Sequence, residues 1–239
     1  MYKKTKHILY IGFCIVLLDS LAHAAVLKSQ LPSTNTTNET KSIKRTLSSD
    51  DHSTEKKAQR YFTQTVRNFT KENPLAETQN LLDQKTIIAY ITKYHPQIGS
   101  RDRETIASEL VAQSKTHHVD PKFIAAIIGA ESGFNKNANS RSGAKGLGQL
   151  MRGTYAAFNV QNPFDIKENI SATIQYCNRL FTLFGAHTMP LSYSLAAYLR
   201  GDQAVKRANG NFTPYTIKYI QTVFKKYHTI CQLQEQTEH

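Results

Sequence analysis

Glu131 is the carboxylate whose surroundings prepare it for proton transfer. It follows an apolar stretch containing Phe123, Ile124, Ile127 and Ile128, and it precedes Ser132-Gly133. The apolar spacing is helical and Gly133 is a stop signal, so Glu131 is expected in the last turn of a helix. There it faces the negative end of the helix dipole, with Ile127 and Ile128 one turn back. Both influences disfavour the ionised form, so its pKa should rise. A carboxylic acid still protonated near neutrality can give its proton to a leaving oxygen. The bland alternative is a solvated glutamate at a helix end.

The second informative stretch is Ser140-Arg141-Ser142-Gly143-Ala144-Lys145-Gly146-Leu147-Gly148-Gln149-Leu150-Met151, which breaks helical regularity. Its glycines do not form a phosphate loop, because no strand precedes them and no Gly-Lys-Ser/Thr follows. They are expected instead to let a ligand approach the backbone closely. Met151 could equally be packing material, since methionine fills irregular gaps. From Ser132 to Phe164 the chain holds no Asp or Glu. Any chemistry needing a second carboxylate must therefore draw on a distant residue such as Asp165 or Asp202.

Helices separated by Pro, Gly and Asn would position these residues, and no run of alternating strand character intervenes. Ile87, Ile88 and Ile91 suggest a helix ending before His95-Pro96, and Ile106, Leu110 and Val111 mark one from about Arg103 to Thr116. Asp120 as N-cap with Pro121 at the first position opens the helix that ends at Glu131. A longer helix is expected from near Asp165, where Ile166, Ile170, Ile174, Cys177, Phe181 and Phe184 recur every three or four residues. Others run from about Pro190 through Tyr198 and from about Tyr215 to Cys231. The fold class is all-α, with one domain at 84–235.

Before that domain, Lys3, Lys4, Lys6 and His7 precede the apolar run Ile8 to Leu18 and the pattern Ala22-His23-Ala24. These are the marks of a secretory signal peptide over 1–24. The apolar run is about half of the ~20 residues a membrane span needs, so no stable membrane span is expected. Residues 25–83 are rich in Ser, Thr, Asn, Lys and Glu, bury little apolar surface, and read as a flexible polar linker, with a transient helix around Lys56 to Phe69.

The formal net charge is +12, which favours an anionic partner. Nucleic acid is not the expected one, because no helix face carries a stacked aromatic and Arg pattern, and an exported protein meets anionic cell-envelope polymers first. Cys177 and Cys231 remain after signal removal, and an even count in an exported chain permits one disulfide or a pair of buried thiols. No histidine stands at zinc-type spacing from them, so neither a metal nor another cofactor is expected.

The segment from about Ile87 to Tyr227 resembles the lytic transglycosylases of the soluble lytic transglycosylase type, whose catalytic domain has a goose-lysozyme-like α-helical fold. The resemblance rests on Glu131-Ser132, on Ser140, Gly143, Ala144, Gly146, Leu147, Gln149, Leu150 and Met151, and on Ala197, Tyr198 and Gly201. It implies that Glu131 is the catalytic acid and that Ser140, Gln149, Met151 and Tyr198 bind or orient a peptidoglycan glycan strand. Gly148, Arg152 and Leu199 depart from the family pattern, in place of methionine, proline and asparagine.

The implied reaction cleaves the bond between N-acetylmuramic acid and N-acetylglucosamine and leaves 1,6-anhydro ends. Ordinary glycosidases use two carboxylates, whereas this stretch supplies one. The rivals are a goose-lysozyme-type hydrolase and a peptidoglycan-binding protein of a secretion or conjugation apparatus with reduced activity. Such an apparatus is a candidate partner under either role, and the place of action is periplasmic or extracellular.

Overall fold

The computed structural model describes residues 55–64 and 76–237. The expected signal peptide, and the expected linker at 25–54 and 65–75, lie outside the described residues. A helix over 55–64 (α1) is followed by α2 (Ala76–Tyr94), α3 (Ser100–His117), α4 (Pro121–Glu131), α5 (Arg152–Ala157) and α6 (Ile166–Phe184). Then come α7 (Pro190–Arg200), α8 (Asp202–Ala208) and α9 (Pro214–Thr237). Among the described residues there is no strand, and isolated bridges pair Lys145 with Asn139 and with Leu150. The expected all-α class is observed. None of the described helices is long and apolar enough to cross a membrane.

The centre of the molecule is α4, in which every residue from Pro121 to Gly129 is buried. A helix apolar on all sides must be enclosed by others, and α2, α3 and α9 pack around this one. Its start is set by Asp120, whose side chain accepts the Lys122 backbone N–H at 2.9 Å, with Pro121 at the first helical position. α6 packs against α3 and α7 and meets α4 through Phe181 and Phe123, and α8 follows α7 through Gly201.

A buried ionic cluster ties these helices together at the α4 N-terminus. The Lys122 ammonium donates to Asp83 of α2 at 2.7 Å and lies 3.5 Å from Asp120. Gln79 and Gln234 also donate to Asp83, at 3.0 and 3.2 Å, and the Tyr227 hydroxyl donates to Asp120. Burial works against the Lys122 charge, but Asp120 and Asp83 outweigh it and hold the ammonium above the ordinary lysine range. No hydropathy pattern announces this cluster.

The expected linker boundary at residue 83 needs correction. Residues 55–64 and 76–83 are helical, and Ala58, Phe62 and Asp83 are buried. Phe62 packs edge-on against Phe123 and Phe181, with centroids 5.5 and 5.2 Å away. Glu55 accepts hydrogen bonds from the Ser192 backbone N–H and hydroxyl, and burial pushes its carboxyl up to about 7. A polar average conceals this because the apolar contact comes from Ala58, Tyr61 and Phe62 among otherwise polar residues.

Cys177 and Cys231 point inward as expected, but they are free thiols, so the hypothesised bridge is absent. Cys177 senses the charge of Glu131, at one end of α4, and Cys231 senses that of Asp120, at the other. An 11-residue helix separates its ends by about 15 Å, far beyond disulfide reach.

Candidate active site

Glu131 is the last residue of α4. Its helix ends because the Ser132 N–H and hydroxyl both donate to the Ile128 carbonyl, after which Gly133 and Phe134 adopt left-handed φ of 58° and 64°. Glycine enters that region freely, whereas phenylalanine does so at a cost met here by burying its ring. The Glu131 carboxylate oxygen Oε1 accepts a 2.6 Å hydrogen bond from the Tyr219 hydroxyl of α9. Burial pushes the Glu131 pKa up to about 7, with the Tyr219 hydrogen bond partly opposing it. The raised pKa expected from the sequence is present, and its leading cause is burial.

Tyr198, on α7, lies close enough to Glu131 to feel its charge. Burial raises its pKa well above the ordinary value, and the charges of Cys177 and Glu131 add to that. Its hydroxyl donates to the Gly148 carbonyl at 2.6 Å, and its ring packs against Tyr176 with centroids 5.3 Å apart. Both phenols, Tyr198 and Tyr219, stay protonated wherever Glu131 titrates. Tyr219 carries no motif of its own and is hidden in the periodic pattern of α9. An 88-residue separation from Glu131 kept it out of any local reading.

The Ser140–Met151 stretch is held mostly by its own polar atoms. The Ser140 hydroxyl accepts the Ala144 N–H at 2.9 Å and lies 3.0 Å from the Ser142 hydroxyl. The Gln149 amide donates to the carbonyls of Ala138 and Gly146 at 3.1 and 2.9 Å. Both residues therefore shape the loop whatever else they touch. Met151 is 48% exposed, which excludes plain core packing.

The glycine expectation is overturned at two positions. A Cβ at Gly146 would come within 2.1 Å of the Pro163 carbonyl, and one at Gly148 within 2.0 Å of the Thr173 hydroxyl and 2.9 Å of the Tyr198 hydroxyl. Protein atoms occupy that space, so these glycines admit α6 and α7 and not a ligand. Asn169, fully buried on α6, completes the junction: it accepts the Gly148 N–H at 2.8 Å and donates to the Pro163 and Lys145 carbonyls at 2.8 and 3.3 Å. The departure at Gly148 is thus enforced by Thr173 and Tyr198. Gly148→Ala is expected to cost about 1–3 kcal/mol in urea unfolding through overpacking. An unchanged midpoint would show that Thr173 yields freely.

The distant carboxylates are committed elsewhere. Asp165 caps α6 by accepting the Glu168 N–H at 2.9 Å, and Glu168 accepts the N–H groups of Gln161 and Asn162 at 2.6 and 3.0 Å. Asp202 lies 3.8 Å from Lys206 and 4.0 Å from Arg179. Neither aspartate contributes to the Glu131 shift. Among the described residues no group of three or more His, Cys, Asp or Glu gathers as for a metal ion. The arrangement offers one protonated carboxylic acid, one tyrosine that orients it and a second that anchors the adjoining loop.

Residues 110–221 match the family described as the Transglycosylase SLT domain. Over 121 residues the chain is 33% identical to the membrane-bound lytic murein transglycosylase F of Desulfosudis oleivorans, covering 49% of this chain and 26% of that protein. Over 59 residues it is 37% identical to the transglycosylase of Enterobacteria phage PRD1, covering 25% of this chain and 22% of that one. The chain thus spans about a quarter of the length of these relatives. Among solved structures, it is similar to the lytic transglycosylase Slt of Pseudomonas aeruginosa, with TM-score 0.47 and 23% identity over 52% of this chain and 24% of that one. It is also similar to the 70 kDa soluble lytic transglycosylase of Escherichia coli, with TM-score 0.43 and 20% identity over 62% of this chain and 30% of that one.

Proposed function

We propose, from the match of residues 110–221 to the family described as the Transglycosylase SLT domain, that the chain cleaves peptidoglycan glycan strands without water, using Glu131 as both acid and base. The observation that carries this reading is a buried carboxylic acid with its pKa near 7 and no second carboxylate acting on it. Glu131 donates its proton to the oxygen leaving between N-acetylmuramic acid and N-acetylglucosamine. The substrate's own N-acetyl group stabilises the positive sugar centre. Glu131, now ionised, takes the proton of the C6 hydroxyl, and that oxygen closes a 1,6-anhydro ring. The carboxyl ends as it began, so one group suffices.

In this scheme Tyr219 keeps the Glu131 carboxyl in one orientation, Tyr198 fixes the loop through Gly148, and Met151 offers exposed apolar surface to a sugar face. Action on cell-wall glycan places the protein outside the cytoplasm, in line with the signal-peptide pattern at 1–24.

Digestion of purified peptidoglycan in heavy-oxygen water tests the reaction. The expected products carry anhydro ends without the label. Incorporation of labelled oxygen at the new sugar ends would assign the protein to the hydrolases.

Tyr219 supplies a second test. Its hydrogen bond lowers the Glu131 pKa, so Tyr219→Phe lets Glu131 stay protonated to higher pH. The alkaline limb of kcat against pH should move upward, with kcat falling about tenfold as the carboxyl loses its orientation. An alkaline limb that stays put would detach Tyr219 from the acid.

A further inference from the structure

His95 stands just beyond α2, its N–H bonded to the Ile91 carbonyl at 2.8 Å. Its ring lies behind the turn that follows Glu131. Nδ1 is 3.4 Å from where a Cβ on Gly133 would be, and the ring meets Phe134 edge-on with centroids 5.0 Å apart. The titratable groups facing it are Tyr90 of α2, at 6.0 Å between centroids, and Lys226 of α9; the turn itself adds only Gly133 and Phe134. Nε2 is buried with no hydrogen-bond partner among the described residues. This imidazole is not used in the proposed chemistry, yet it supports the two left-handed residues that end the catalytic helix.

We propose that His95 is a positioning residue for Glu131, whose uncharged ring braces the Gly133–Phe134 turn and thereby sets an acid limit on catalysis. The inference rests on Glu131 being the single acid. A lone carboxyl that acts first as acid and then as base has no acid limb of its own, because it only becomes more fully protonated as pH falls. Tyr198, Tyr219 and Cys177 are all held above their ordinary ranges and stay protonated there too. An acid limb in the free enzyme therefore needs another group.

Burial, and then the Lys226 charge, lower the His95 pKa, so the ring is neutral around pH 7. The imidazolium is a second cation near Lys226 and carries a proton on Nε2, an atom closed off from solvent with no acceptor beside it among the described residues, which is unfavourable. The sign is consistent: a group whose folded pKa is depressed by burial of its neutral form loses native-state support as pH falls. When the ring withdraws, Phe134 loses its edge contact and the carboxyl three residues upstream loses its fixed end.

The experiment measures kcat and KM against pH for the parent, His95→Phe and His95→Gln, with His95→Ala as the variant that removes the brace. The parent should lose rate by about tenfold per pH unit below the ordinary histidine range, the slope of one titrating group. His95→Phe keeps a ring, loses no hydrogen bond at Nε2, and should stay within about threefold of the parent at pH 7 while the acid limb disappears. His95→Gln, non-titrating and without a ring, should lose rate at pH 7 as His95→Ala does, but it too should lack the acid limb, which keeps the test decisive if the phenylalanine does not fold. His95→Ala should lower kcat about tenfold with KM unchanged.

Amide-exchange protection of Ser132 and Asn135 gives a readout independent of turnover, and in the parent it should fall on acidification whereas in His95→Phe it should not. An acid limb or an acid loosening that persists in both non-titrating variants overturns the proposal. Absence of the alkaline limb in the parent, with acid loosening of the turn intact, would instead overturn the Glu131 reading.

Discussion

Glu131→Gln removes turnover while leaving the fold in place. The amide keeps the shape of the side chain and can still meet the Tyr219 hydroxyl at the 2.6 Å site, but it has no proton to transfer. General acid–base catalysis contributes about 10² to 10⁴ in rate, so turbidity loss of a peptidoglycan suspension should fall at least a hundredfold. Residual activity above about a hundredth of the parent would remove Glu131 from its role.

Stability should move the other way. The folded pKa of about 7 stands above the ordinary glutamate value of 4.5, so the protonated form supports folding below the lower value. That support is lost as pH rises through the higher one. The Gln variant does not titrate, so its melting temperature relative to the parent should climb between those two pH values and then level. A constant difference across that window would mean the carboxyl is not held protonated by burial.

Lys122→Ala is the substitution expected to damage the fold most. It leaves Asp83 and Asp120 buried at the N-terminus of α4 with no other cation paired to them among the described residues, and both have essentially no exposed surface. Breaking a buried pair from one side costs about 3–5 kcal/mol, because the remaining charge stays desolvated. Urea unfolding should show that loss. Lys122→Met combined with Asp83→Asn should recover part of it, since of the two carboxylates only Asp120, which keeps the Tyr227 hydroxyl and the residue-122 backbone N–H, is then left buried without a cation. A single variant that loses less than about 1 kcal/mol would mean that water reaches the cluster on unpairing. The Lys122 variant should also loosen α2 and α9 together, because Gln234 of α9 donates to the same Asp83 carboxylate of α2 that Lys122 holds.

The helices themselves were legible because their signals are local. Asp120-Pro121 opens α4 where expected, and Asp165 caps α6 at its predicted start. The apolar recurrence through Ile170, Ile174, Cys177, Phe181 and Phe184 marks a face that is buried throughout. The six-residue α5 and seven-residue α8 escaped because neither completes two turns, too few for periodicity to register. The helix expected around Lys56 to Phe69 overlaps the one observed over 55–64, but its docking onto the core escaped, because a helix held by Ala58, Tyr61, Phe62 and one buried carboxylate looks polar in any window average.

By itself the sequence determined the all-α class, the position of Glu131 at a helix end, and the loop that follows it, since each depends on neighbours within a few residues. Only the tertiary structure decided what surrounds that carboxyl. Tyr219 reaches it because α9 packs on α4, and Gly148 is glycine because Thr173 and Tyr198 fill the space beside it. It likewise kept the two cysteines apart, by placing them near opposite ends of α4. The physical reason is the same in each case. Burial and hydrogen bonding in a packed interior depend on which distant elements meet, and a window of sequence carries the period of one helix but not the identity of its neighbours.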